Sequence, residues 1–173
     1  GNPIVPSNGE PAPITRNDLW NMLPIDDYVK TGKVSGSRLM EWLEKEIHNV
    51  FAYNPTERFG GWFVRFSGME VKFNSAAERG ERVESVIING EPLEYDKIYT
   101  ISACTREGDP EDMLCRMKNV DDVETKDFTM HDAVMEYLSK FSPVKPKLDG
   151  RAVATDLGPF TFSTLPGTDY QFK

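Results

Sequence analysis

The 173-residue sequence predicts an α+β domain, with a mixed or antiparallel sheet and flanking helices. Three observations carry this reading. Helical and strand periodicities are interleaved, hairpin signals dominate the middle of the chain, and the regular strand–helix alternation of a doubly wound sheet is missing. The organisation that follows is a Pro-rich extended segment over 1–13, a folded domain over 14–157 and a C-terminal tail over 158–173. No internal repeat is visible.

The first segment holds Pro3, Pro6, Pro11 and Pro13 without an apolar period, which suits an extended strap rather than a folded element. Thr15 followed by Asp18 is a capped helix start, and Leu19, Trp20, Met22 and Leu23 offer an apolar face before Pro24 stops the helix. Tyr28 to Val34 reads as a strand. Ser35 caps a longer helix on which Leu39, Leu43, Ile47 and Val50 recur at helical spacing. After the Asn54-Pro55 turn, Trp62 to Phe66 and Met69 to Phe73 read as two short strands around a bend at Gly68. Val83 to Ile88, the Asn89-Gly90 turn and Lys97 to Ala103 predict a hairpin. Thr129 with Asp132 opens a helix carrying Ala133, Val134, Tyr137, Leu138 and Phe141, which Ser142-Pro143 ends. Gly150 to Thr155 reads as a last strand, and the tail beyond Gly158 has aromatics but no period.

Twenty basic residues against 28 acidic ones give a formal charge of −8, and no local basic stripe offsets it, so nucleic acid is not an expected partner. No apolar run approaches the length of a membrane span. The chain opens on Gly1 without a basic and apolar leader, so no targeting peptide is expected within it.

Catalytic motifs are equally sparse. A zinc or two-metal site needs three or more convergent ligands, and the only histidines, His48 and His131, stand alone on their helices as surface or partly packed residues. Asp26-Asp27 and Asp121-Asp122 read as solvated loop pairs without the spacing of a calcium loop. No nucleophile elbow and no phosphate-binding loop occurs. Cys104 and Cys115 flank an acidic loop and read either as two half-buried thiols or as a disulfide closing it. No cofactor is expected in this chain.

Two features stand out. Trp62, Phe63 and Phe66 crowd one short segment beside Gly61 and Gly68, where a flat ring can lie against backbone as base recognition requires. Strand alternation would send Phe63 to the core and Phe66 to the opposite, ligand-facing side. Arg106-Glu107-Gly108-Asp109-Pro110 is a polar loop leaving a strand end, where binding residues concentrate.

In order, these pieces resemble the C-terminal domain of the 5′-nucleotidase family, the metal-dependent phosphoesterases that include UDP-sugar hydrolases and cyclic-nucleotide phosphodiesterases. The likeness runs from Ile14 to Thr155. It rests on Ile14-Thr15-Arg16-Asn17-Asp18-Leu19 with Leu23-Pro24, Val34-Ser35-Gly36-Ser37-Arg38-Leu39, Phe66-Ser67-Gly68-Met69, Val83 to Leu93 with its Asn89-Gly90 turn, and Lys97-Ile98-Tyr99-Thr100-Ile101.

The resemblance implies a substrate-recognition half whose own N-terminal domain carries two divalent metals, a small nucleotide or nucleoside-like ligand, and a periplasmic or extracellular parent protein. By position it implies that Phe66 stacks on the base and that Gly108 and Asp109 meet the ribose hydroxyls. Trp62 is a further candidate beside Phe66. Three departures accompany it. No second stacking Phe precedes the loop, where Arg106 can lay its guanidinium on a ring instead. Gly68 stands where the family has an Asn. The segment over 1–13 lacks the family's phosphate-binding Arg. The alternatives are a non-catalytic binding or adhesion module on the same fold, or a branch acting on a non-nucleotide ester.

Overall fold

The computed structural model describes residues 10–60, 63–103, 105, 108–145 and 149–157. In chain order the elements are α1 (Arg16–Met22), β1 (Tyr28–Ser35), α2 (Gly36–Phe51), a 3-10 turn (Pro55–Glu57), β2 (Met69–Phe73), β3 (Val83–Ile88), β4 (Glu91–Pro92), β5 (Ile98–Ser102), β6 (Asp121–Thr129), α3 (Met130–Phe141) and β7 (Ala152–Ala154). The class is α+β, as expected. Two compact units form, one within Gly1–Val34 and Ile98–Leu148, the other within Ser35–Lys97 and Asp149–Lys173.

The first unit holds a three-stranded sheet in the order β5-β1-β6, with β1 and β6 antiparallel. Its buried apolar residues are Leu19, Val34, Leu114, Met117 and Val120. A Cβ on Gly32 of β1 would lie 2.4 Å from Val120 Cγ1 and 3.2 Å from Leu114 Cδ1, so a side chain there would force Val120 to shift. Both short helices start on the capping boxes legible in the sequence: the Thr15 hydroxyl accepts from Asp18 N–H while the Asp18 carboxylate accepts from Thr15 N–H, and Thr129 and Asp132 do the same. Their expected apolar faces are only partly covered. Leu19 is buried, whereas Trp20 and Met22 on α1 and Tyr137 and Phe141 on α3 are more than half exposed.

The second unit holds a four-stranded sheet in the order β4-β3-β2-β7, antiparallel except for the parallel β2–β7 pair. Val71, Phe73 and Val86 turn one face of it inward, and α2 buries Leu39, Trp42, Leu43 and Ile47. The Glu44 carboxylate on α2 accepts from the N–H groups of Gly80 and Val83, which anchors the start of β3 to the helix.

Three expectations are corrected. The run over 63–66 is irregular rather than a strand. Asn89 and Gly90 do form the tight turn, with φ of +53° and +84°, but β3 returns only through the two-residue β4. Leu93 N–H still donates to the Val86 carbonyl at 2.9 Å, and the turn over Glu94 to Lys97 then redirects the chain, so Ile98–Ser102 joins β1 in the other sheet. Finally, Asp121 and Asp122 begin β6 instead of lying in a loop, and Lys33 on β1 pairs with Asp122 at 2.6 Å.

The end of the described chain is latched. The Asp156 carboxylate accepts from Ser75 N–H at 2.8 Å, from the Ser75 hydroxyl at 2.6 Å and from Ala76 N–H at 3.1 Å. These bonds, the Ser75 hydroxyl first, hold the Asp156 carboxyl below its ordinary value of 3.8. A depressed folded-state value means that the stabilisation is complete above 3.8 and is lost as the pH falls through the lower folded value. Asp156→Asn should therefore be less stable than the unchanged chain at pH 7, with the gap narrowing in acid; urea unfolding across the pH range measures it, and a gap independent of pH would contradict the latch.

Candidate functional site

Phe66 sits in the second unit, at the end of a row of rings. Phe51 meets Phe73 at 5.6 Å between centroids, Phe73 meets Phe63 at 5.3 Å, and Phe63 meets Phe66 edge-on at 5.7 Å. Phe63 and Phe66 are both half-buried and touch. The expected split into a core ring and an opposite ligand-facing ring does not hold, because alternation requires a strand and this segment is not one.

The backbone beneath Phe66 is fixed from the far end of the sequence. Arg151, just ahead of β7, donates from Nη1 to the Phe66 carbonyl at 2.8 Å. The same guanidinium is clamped by Asp149, with Nε donating to Oδ1 at 2.8 Å and Nη2 donating to Oδ2. This fork holds the Asp149 carboxyl below the ordinary carboxylate range, so it is ionised at neutral pH. The sequence offered Gly150 to Thr155 only as a strand, and nothing local in Asp149-Gly150-Arg151 announced a contact 85 positions away.

Beside this clamp, also within the second unit, lies a cavity of about 260 Å³ at the mouth of the sheet. It is bounded by Ser67 to Glu70 entering β2, by Ile87 and the Asn89-Gly90 turn, and by Asp149 and Arg151. Gly68 turns the chain here with φ of +85°, the bend the sequence predicted.

Gly108 and Asp109 belong to the first unit. Gly108 is exposed with φ of +84°, and Asp109 is half-buried. Trp62, Arg106 and Cys104 lie outside the described residues. Cys115 takes a left-handed conformation, φ +48°, in a tight turn whose ends, Leu114 and Met117, exchange backbone hydrogen bonds of 3.0 and 2.9 Å.

Both histidines are buried and structural in their contacts. His48 Nε2 pairs with Glu57 at 2.9 Å. His131 Nε2 lies 2.8 Å from the Leu23 carbonyl, its ring edge meets Trp20, and its N–H donates to Asp26. Asp26, read as a solvated loop residue, thus receives the start of α3, and this bond lowers its carboxyl. Among the described residues no group of three or more His, Cys, Asp or Glu side chains is placed to hold a metal ion, and no helix is long and apolar enough to cross a membrane.

Comparison with known proteins matches residues 2–104 to the family "5′-nucleotidase, C-terminal domain". The matched span includes Phe66 and ends before Gly108 and Asp109. The protein 5NUC of Lutzomyia longipalpis is 30% identical over 146 residues, covering 80% of this chain and 25% of that protein. Two solved structures from Thermus thermophilus share the fold. A sulfate thiohydrolase in complex with glycerol gives a TM-score of 0.63 at 19% identity, over 85% of this chain and 26% of its own. A 5′-nucleotidase precursor gives 0.63 at 20% identity, over 85% and 29%. The chain thus spans between a quarter and a third of the length of these proteins. With more than half of its residues matched, and with the α+β sheets and capped helices that the motifs foretold, this chain belongs to the 5′-nucleotidase C-terminal domain family.

Proposed function

We propose that this chain is the substrate-recognition domain of a 5′-nucleotidase-like phosphoester hydrolase, taking a nucleotide or nucleoside-like small molecule by stacking its base on Phe66. The observation that supports it most is the family match across Phe66, together with the clamp from Arg151 that holds the backbone there. A ring whose main chain is already fixed loses little freedom when a base stacks on it. Bond cleavage falls to a two-metal N-terminal domain, and the parent protein is exported to the periplasm or the cell exterior.

The equal likeness to a sulfate thiohydrolase supports a second reading, recognition of a non-nucleotide ester. An adenosine titration followed by NMR chemical shifts separates the two. One stacked ring contributes about 1 to 3 kcal/mol, so binding near 1 mM, about −4 kcal/mol, is expected. Phe66→Ala should abolish most of it while remaining folded. Phe63→Ala, which removes the ring between Phe66 and Phe73, should instead lower stability by about 2 to 4 kcal/mol. If adenosine moves no resonance near Phe66, the non-nucleotide reading takes its place. The chain alone should not hydrolyse AMP with added Mn²⁺.

A further inference from the structure

The geometry points to a second ligand site in the cavity at the mouth of the four-stranded sheet, one that takes a neutral polyhydroxylated molecule of monosaccharide size. It uses neither Phe66 nor Asp109 and goes beyond the nucleotide reading.

The register builds the site. Glu70 on β2 stands opposite Ile87 on β3, and Arg151 directly precedes Ala152, the β7 partner of Val71. Glu70, Ile87 and Arg151 therefore lie in one cross-strand row, with the Asn89-Gly90 turn and Ser67-Gly68 closing its end.

Size and charge choose the ligand. The volume, about 260 Å³, falls below the roughly 300 Å³ at which drug-sized pockets begin, so the occupant is small. Two carboxylates, Glu70 and Asp149, line the cavity with one guanidinium, and that surplus of negative charge disfavours phosphate and sulfate. A bare cation finds too few ligands, since Asp149 is committed to Arg151 and no third metal-binding side chain joins Glu70 among the described residues. An amine would use the carboxylates but leave the donors of Arg151, Asn89 and Ser67 unmatched. Vicinal hydroxyls answer both sets, because each is a donor and an acceptor: they donate to carboxylate oxygens and accept from guanidinium, amide and hydroxyl hydrogens. Ile87 supplies the apolar surface on which a sugar's C–H face rests. The Arg151 clamp is formed before any ligand arrives, so binding does not have to order it.

The test is an NMR titration of the chain with methyl α-D-glucopyranoside, run in parallel with inorganic phosphate and with ethanolamine. Saturable shifts confined to residues 67–70, 87–90 and 149–151, with a Kd of about 1 to 10 mM, are expected for the glycoside alone. Glu70→Ala should weaken it about tenfold and Ser67→Ala less; both side chains are exposed, so the fold survives. Shifts that rise linearly or scatter over the surface overturn the proposal, as does saturation by phosphate or ethanolamine or an unchanged Kd in Glu70→Ala. Phe66→Ala distinguishes this site from the nucleotide reading: it should lose adenosine and keep the glycoside.

Discussion

Gly36→Ala is expected to cost at least about 4 kcal/mol of stability, far more than an alanine normally does in the first turn of a helix. Gly36 is the first residue of α2, and its N–H donates to the Lys97 carbonyl at 2.9 Å while Ser37 N–H donates to the Tyr95 carbonyl at 2.9 Å. The helix start is thereby pressed onto the turn over Glu94 to Lys97. A Cβ on Gly36 would overlap the Glu94 carbonyl oxygen and lie 2.9 Å from its carbon and 3.1 Å from Tyr95 Cα. All three obstacles are backbone, so no rotamer change relieves them. Either the helix withdraws and both hydrogen bonds break, or the turn deforms. Ser35→Ala is the control. It removes only the hydroxyl that caps the helix at Arg38 N–H, worth about 1 kcal/mol. Urea unfolding followed by circular dichroism compares the two, and a Gly36→Ala variant within about 1 kcal/mol of the unchanged chain would refute the close approach.

Gly36 illustrates what was legible and at what level. The motif Val34-Ser35-Gly36 marked a helix start, and Ser35 does cap α2, but the reason for the glycine is a contact with residues some 60 positions later that no local pattern announces. The helices were readable because their signals are short-range: the capping boxes at Thr15 and Thr129, and the apolar repeat over Leu39, Leu43 and Ile47. By contrast β6 was missed. It is a sheet edge with six of nine residues exposed, so its sequence Asp121 to Thr129 carries charge where a half-buried strand would alternate. The two-sheet arrangement was illegible for a related reason. Asn89-Gly90 does encode a turn, but the strand partner beyond it depends on the Glu94 to Lys97 turn, which hands β5 to another sheet.

The candidate site shows the same division. Phe66 and Gly68 were singled out from their own neighbourhood, and the left-handed bend at Gly68 is there. The clamp of Asp149 and Arg151 on the Phe66 carbonyl joins segments far apart in sequence, and the same side chains line the cavity. Asp149, Gly150 and Arg151 resemble an ordinary polar turn until the parallel pairing of β7 with β2 sets them beside the entrance of β2.

His131→Ala is expected to lower stability by about 2 to 4 kcal/mol, although a lone histidine in a first helical turn reads from sequence as a surface or partly packed residue. The residue is 4% exposed. Nε2 lies 2.8 Å from the Leu23 carbonyl, which makes it the donor that satisfies the group following the last turn of α1. Nδ1 faces the Asp26 carboxylate at 3.6 Å, and the ring plane meets Trp20 at 79°, with centroids 4.4 Å apart. Alanine removes all three contacts at once, leaving a void and a carbonyl without its donor. The main-chain bond from residue 131 to Asp26 Oδ1 and the bond from Met130 N–H to the Asp27 carbonyl do not involve the ring, so α3 should still start at Thr129. His131→Gln keeps an N–H donor within reach of Leu23 and should recover part of the loss. Unfolding in urea at pH 7 measures both variants. If alanine costs less than about 1 kcal/mol, or if glutamine is no better than alanine, the ring fills space without tying α3 to the chain between α1 and β1.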